Sequence, residues 1–296
     1  MSTIELVTVD TSAARVPVAR RRRAWTRLRR NPLALGGLVV VVIAVACALL
    51  AGVIAPFSFD HTDFLATRLP PSIHHWFGTD ELGRDQLSRI LYGLRVSLLV
   101  AVLAVALSMV VGVPLGLFAG FYGFVDPVVS RLTDTLLSFP FLVLAVGLAA
   151  ILGPSLTTAT VAIGIAGVPG VIRVTRGETL RLRGLDFIAA AVADGASDLV
   201  VLFRHILPNA LSTLIVQATV AAPAAIIGEA VLSFLGLGIQ PPTPSLGVML
   251  NAAQPLFRDA PWLGVFPGVA IVLLALGLNL LGDGLRDALD PRQTPR

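Results

Sequence analysis

The sequence predicts an all-α membrane protein with six transmembrane helices. Three observations carry that prediction. The chain is 55% hydrophobic and only 14% charged, whereas soluble domains carry about a quarter charged residues. Its mean hydropathy is +0.85, with uncharged apolar runs of about 20 residues, enough to cross a bilayer, recurring along it. Between those runs the arginines are distributed unevenly, as topology signals are.

Residues 1–32 form an Arg-rich segment whose small and basic residues cannot build a core, so it is expected to be disordered or to lie on anionic lipid. The first span is Leu33–Ala55. It exceeds the 7–15 residues of a signal-peptide core and no cleavage site follows, so it reads as a retained helix. The single cysteine, Cys47, lies inside it, which excludes an intrachain disulfide. An outer segment, 56–92, follows. The second span is Val96–Phe118, interrupted by Gly112 and Pro114. The third is about Leu132–Leu152, with Asp134 near its entry and Pro140 within. The fourth, about Ser155–Ile172, is short and carries Gly164, Gly167, Pro169 and Gly170. The fifth is Ala210–Leu235, with Pro223 and Glu229, and the sixth about Leu263–Leu281. Residues 93–285 thus make a transmembrane core, and 286–296 a tail.

All 22 basic residues are arginine. With an inside N-terminus, seventeen fall on cytoplasmic segments and five outside, so both termini are expected in the cytoplasm. The absence of lysine excludes a phosphate-binding loop ending in Gly-Lys-Ser/Thr. No nucleophile–base constellation supports catalysis. The basic charge is explained by topology and calls for no nucleic-acid partner.

The polar stretch between spans four and five, about 186–208, reads as a helical hairpin facing the cytoplasm. Phe187–Asp194 is Ala-rich and favours helix. Gly195 is placed to close it in the left-handed conformation. Ser197 is placed to cap a second helix, with Asp198 in its first turn. Leu199, Leu202, Phe203 and Ile206 recur at helical spacing and make one apolar face. Pro208 is expected to end this helix and Asn209 to cap the fifth span. Such a hairpin is either an interfacial element steadying a long loop or an apolar face offered to a groove on another protein.

The residues also carry a resemblance. Ala190, Ala191, Gly195, Leu207 and Pro208 fall where the "EAA…G…I-LP" motif of ABC-importer permeases has its Ala-Ala, Gly and Leu-Pro. Ala189 stands at the motif's glutamate and His205 at its isoleucine. "FGTDELGRDQLSRILYGLRVSLLVA" (77–101), "SRLTDTLLSFPFLVLAVGLA" (130–149), "GEAVLSFLGLGIQPPTPSLGVML" (228–250) and "NLLGDGLRDALDPR" (279–292) are similar to blocks of the dipeptide/oligopeptide/nickel permease family, its C-type subunit in particular. The resemblance implies a type I ABC importer permease fold in which the hairpin, with Ala196, Ser197, Leu199, Leu202 and Phe203, is the coupling helix. It implies a second, related permease as partner, two cytoplasmic ATPase subunits holding ATP and Mg, and an extracytoplasmic binding protein. It implies no cofactor on this chain. The cargo implied is a short peptide, with a nickel chelate as the alternative.

Glu229 is an ionisable group inside a span, where burial is costly and usually purposeful. Twenty residues past Asn209, it lies about 30 Å along the helix, near the outer interface. It is either structurally paired or part of a pathway or gate, together with Pro223 and Pro140. Asp134 sits three residues after Arg131, so the two are expected to pair. Gly78, Thr79, Asp80, Gly83, Arg84 and Asp85 form either a candidate outer partner surface or a self-capped loop. Within it, Thr79 or Asp80 is expected to cap a helix from about Glu81. His74 and His75 have no acidic or cysteine partner at ligand spacing and make no metal site. A secondary transporter remains the competing function class, and it predicts inverted repeats and a midplane ionisable residue.

Overall fold

A computed structural model describes residues 31–289. The Arg-rich segment before Asn31 and the tail after Leu289 lie outside the described residues. Every element among the latter is helical. The order is α1 (Pro32–Leu49), α2 (Ala51–Ile54), α3 (Gln86–Phe121), α4 (Asp126–Leu137), α5 (Phe141–Leu152) and α6 (Leu156–Arg183). Then come α7 (Asp186–Ala193), α8 (Asp198–Val200), a π-helical stretch (Val201–Ile206), α9 (Leu207–Phe234), α10 (Leu246–Ala253) and α11 (Trp262–Leu289). Among the described residues five helices are long and apolar enough to cross a membrane, or six if α4 and α5, bent by 90° at their junction, count as one broken span.

The second, third and fourth spans depart from the sequence reading for identifiable reasons, and the sixth runs on to Leu289. The second is a 36-residue helix beginning ten residues before Val96, because the Asp85 carboxylate accepts the Ser88 N–H and starts it there. Pro114 lies within it without ending it. The third is not one rod. Pro140 cannot donate a backbone hydrogen bond and holds an extended conformation at the start of α5, so the chain turns sharply between Leu137 and Phe141. The fourth is not short. Ser155 caps it by accepting the Thr158 N–H, and it runs 28 residues to Arg183. Polar residues beyond Ile172 hid that continuation from a reading based on hydropathy.

The α3–α6 pair is the spine of the bundle. A Cβ built on Gly112 would lie 2.7 Å from Cβ of Val171, and one on Gly116 or Gly120 would lie 2.6 Å from Cβ of Thr175 or Thr179. Glycine every fourth residue on one helix therefore lets the two backbones touch, the packing that replaces hydrophobic driving force inside lipid. Helix α1 leans on α11, and α9 packs against α3, α6 and α11. Two apolar cores result. One, around Val100, Ala104, Ile163, Ile226 and Leu246, fills the end away from the hairpin. The other, around Leu117, Leu182, Ile188, Leu202 and Ile206, lies beneath the hairpin.

Candidate functional site

The hairpin forms as its residues dictate. Helix α7 ends at Gly195, whose φ of +84° places it in the left-handed region. The Ala196 N–H reaches the Ala191 carbonyl at 3.0 Å and the Gly195 N–H reaches that of Val192 at 3.0 Å. This is a Schellman closure, and it turns the chain without a loop. Ser197 then stands at the start of the second arm, but its side chain makes no capping bond.

The second arm departs from expectation at its far end. Pro208 does not stop it. A π-helical turn over Val201–Ile206 passes directly into α9, and the wider π turn accommodates Pro208, which donates no backbone hydrogen bond, without ending the helix. Residues Asp198–Phe234 are thus one continuous 37-residue helical rod. Asn209 does not cap it, since its side-chain amide donates to the His205 carbonyl at 2.7 Å.

The apolar face of that arm is divided. Leu202 and Ile206 are fully buried in the chain's own lower core, with Val201 beside them. Leu199 and Phe203 are 57% and 47% exposed, and Val200 and Val192 extend the same uncovered surface. Ala190 and Pro208 are exposed as well, while Ala191, Ala196 and Leu207 are half-buried, the last two against the lower core. Phe203 still touches Phe118 edge-on, with ring centroids 6.5 Å apart. Asp198 lies beside the Tyr122 hydroxyl at the end of α3. Desolvation, then the Asp198 carboxylate, hold that phenol above its usual range. The hairpin is therefore clamped to α3 and α6 on one side and bare on the other.

At the opposite end of the rod Glu229 is fully buried. Ser97 of α3 donates to its Oε2 at 2.6 Å and Ser233 donates to its Oε1 at 2.8 Å. Ser233 Oγ also accepts the Ile239 N–H at 3.2 Å. These bonds give Glu229 the partners that the structural-pairing reading calls for. Ser233, one turn on, was legible as a partner; Ser97, 132 residues away, was not. Pro223 is buried in the same helix and Pro140 is exposed at the α4–α5 elbow. A Cβ on Gly228 would lie 3.3 Å from the Phe141 ring, so α9 meets the elbow one residue before Glu229, whose carboxylate points to α3 instead.

Gly78, Thr79, Asp80, Gly83, Arg84 and Asp85 are all buried in this chain, the arrangement expected of the self-capped loop among their two readings. They form the internal frame of a cap over the bundle. Asp80 accepts the N–H groups of Leu82 and Arg84 at 2.9 Å and the Arg84 Nε at 2.7 Å, with Arg89 Nε 3.5 Å away. That carboxylate is spent on a turn, so the helix begins not near Glu81 but at Gln86, capped by Asp85. His75 Nδ1 pairs with Asp85 at 2.9 Å, and no group of three potential metal ligands occurs among the described residues. Asp134 pairs with Arg173 at 2.8 Å rather than with Arg131.

The chain thus presents five or six candidate spans and, at one end, a helical hairpin with a bare apolar face. Residues 112–295 match the family described as the binding-protein-dependent transport system inner membrane component, and residues 20–71 match the N-terminal transmembrane domain of oligopeptide transport permease C. The chain belongs to this permease family. It is 44% identical over 272 residues to a dipeptide transport system permease protein of Alkalihalophilus pseudofirmus, covering 92% of this chain and 90% of that one. It is 44% identical to a di/tripeptide transport system permease protein of Pseudomonas aeruginosa, over 90% and 91% of the two chains. It is 42% identical to a glutathione transport system permease protein of Pectobacterium atrosepticum, over 92% and 91%. Among solved structures, an inward-facing MetNI methionine ABC transporter shares the fold, with a TM-score of 0.57 at 21% identity over 68% of this chain and 96% of that one.

Proposed function

We propose that this chain is the C-type permease of an ATP-driven importer of short peptides, and that its hairpin is where ATP energy enters. The divided hairpin carries this reading: Leu202 and Ile206 anchor it in the chain while Leu199 and Phe203 stay bare. A bare apolar face at the membrane surface is covered by lipid or by a partner's groove, and this reading commits to a groove on a cytoplasmic ATPase. In this reading the hairpin and both termini face the cytoplasm, and the buried cap faces outside beneath a substrate-binding protein. A second, related permease completes the pathway. Two ATPase subunits hold ATP and Mg. Their closure on ATP moves the hairpin, and the rod transmits that movement to the core. The dipeptide, di/tripeptide and glutathione names of the relatives support a peptide cargo.

Reconstitution tests the reading. The chain is assembled with its genomic-neighbour permease, ATPases and binding protein in proteoliposomes, and dipeptide uptake is measured with and without ATP. ATP-dependent uptake is expected, in preference to a nickel chelate. Uptake by this chain alone, driven by an ion gradient, would overturn it. For the joint itself, Leu199→Cys is a better probe than Ala196→Cys, because Ala196 packs inward. In the assembled complex Leu199→Cys should crosslink to an ATPase subunit.

A further inference from the structure

The elbow between α4 and α5 leaves a cavity of about 280 Å³ walled by α3, α6 and α9. Small residues, Gly167, Gly170, Ala221 and Ala224 among them, make about half of its lining, and bulkier ones such as Phe139 and Phe141 make most of the rest. Two polar side chains line it. Ser108 is satisfied, since its hydroxyl donates to the Gly164 carbonyl at 2.6 Å. Gln217 is not. On α9, Asn209, Thr219, Glu229 and Ser233 have hydrogen-bond partners, whereas Ser212, Thr213 and the half-buried Gln217 have none among the described residues, and of these three only Gln217 lines this cavity. It sits ten residues past Leu207, about 15 Å along the helix. Gly170 faces it without filling the space, because a Cβ there would still lie 3.9 Å from Gln217 Nε2.

An unpaired carboxamide at membrane depth is costly unless something pairs with it. Its chemistry names the occupant. A carboxamide offers one acceptor and two donors in a plane, the complement of a peptide group's N–H and C=O. It carries no charge to select a cation or anion. With alanines of α9 beside it and Phe139 and Phe141 across the cavity, it reads a backbone while leaving apolar room for side chains. A volume of about 280 Å³ falls just below the roughly 300–1,000 Å³ of drug-sized ligand pockets, which suits a dipeptide-sized segment. We propose that Gln217 holds the backbone amide of the transported peptide in this cavity during passage. The proposal rests on the peptide-importer reading above.

The test uses the full reconstituted complex at saturating, loaded binding protein. Uptake of dialanine is compared with that of its analogue methylated on the peptide nitrogen, in wild type and in Gln217→Leu. The binding protein is common to both complexes, so a change in the ratio belongs to the permease. Gln217→Leu should lower dialanine uptake roughly five- to tenfold, the scale of one lost hydrogen bond, and bring the two substrates closer to parity. Unchanged uptake or an unchanged ratio overturns the proposal. So does loss of the partner permease on size exclusion, which would make Gln217 a subunit contact. Should Gln217→Leu fail to fold, Gly170→Cys in a Cys47→Ala background decides: dialanine should slow its maleimide labelling during turnover, and no protection overturns the proposal. Failure of wild type to take up dialanine with ATP sinks the importer reading instead, so the two failures are distinct.

Discussion

Ser97 donates a 2.6 Å hydrogen bond to Glu229 across 132 residues of sequence, joining α3 to α9 at the end away from the hairpin. Removing the acceptor strands two buried serine hydroxyls and opens a void. Glu229→Ala is expected to cost about 3 kcal/mol, while Glu229→Gln, which keeps the size and an acceptor oxygen, should cost about 1 kcal/mol. Thermal unfolding of the purified complex in detergent orders the two variants. Equal melting temperatures for wild type and Glu229→Ala would remove the pairing from any structural role.

The α3–α6 seam makes a second expectation. A Cβ on Gly116 would lie 2.6 Å from Cβ of Thr175 and 2.8 Å from the Ile172 carbonyl. Gly116→Val should force the helices apart and cost about 1–3 kcal/mol or more. Expression level and melting temperature should both fall, with Gly116→Ala intermediate. A similar substitution at Gly147, where a Cβ meets nothing within 4 Å, should be silent.

Neighbouring hairpin residues should separate folding from coupling. Leu202 is fully buried and Phe203 is 47% exposed. Leu202→Ala is expected to destabilise by about 2–5 kcal/mol. Phe203→Ala should leave the melting temperature of the isolated chain within a few degrees of wild type, yet lower ATP-driven uptake severalfold. A Phe203→Ala complex with wild-type uptake would count against docking through the bare face.

Gly195 is the turn on which the hairpin closes. At φ +84° a side chain costs about 1–2 kcal/mol, so Gly195→Val should loosen the hairpin and uncouple ATP hydrolysis from uptake. Gly195→Asn, which visits this region readily, should retain most coupling. Parallel measurement of hydrolysis and uptake separates loss of coupling from loss of protein.

Two ion pairs join α4 to α6 with different weights. Arg176 grips Asp126 through two nitrogens, partly shielded, while Arg173 and Asp134 are mostly exposed. Asp134→Ala should shift stability by under about 1 kcal/mol. Asp126→Ala should shift it more, and a charge-swapped Asp126→Arg, Arg176→Asp pair should recover part of the loss.

What was legible in the sequence followed periodicity and composition. The six spans, the closure at Gly195 and the lone charge at Glu229 all come from local signals. The misreadings share one cause, since a local signal has no knowledge of the partner that will compete for it. Asp80 carries a good capping side chain but spends it on Arg84 and a turn, leaving the cap to Asp85. Asp134 has Arg131 at helical spacing yet meets Arg173 from α6. Pro208 looked like a terminator because a π turn that absorbs it leaves no mark in the sequence. Leu199, Leu202, Phe203 and Ile206 are equivalent on a helical wheel, and only the packed lower core divides them. Gln217 passed unnoticed because one amide among apolar residues stands out only once its lack of partners is visible.

The rod from Asp198 to Phe234 spans 37 residues, about 55 Å, and it is pinned near one end by Glu229 and bare near the other at Leu199. In the importer reading proposed above, in which ATPase closure moves the hairpin, Glu229 is the fulcrum of that rod. Leu199 lies about 45 Å from it and Gln217 about 18 Å. A swing of about 10° carries the bare end through roughly 8 Å and Gln217 through roughly 3 Å. The gearing is downward. A large stroke at the surface becomes a small, forceful displacement at the cavity, about the length of one hydrogen bond.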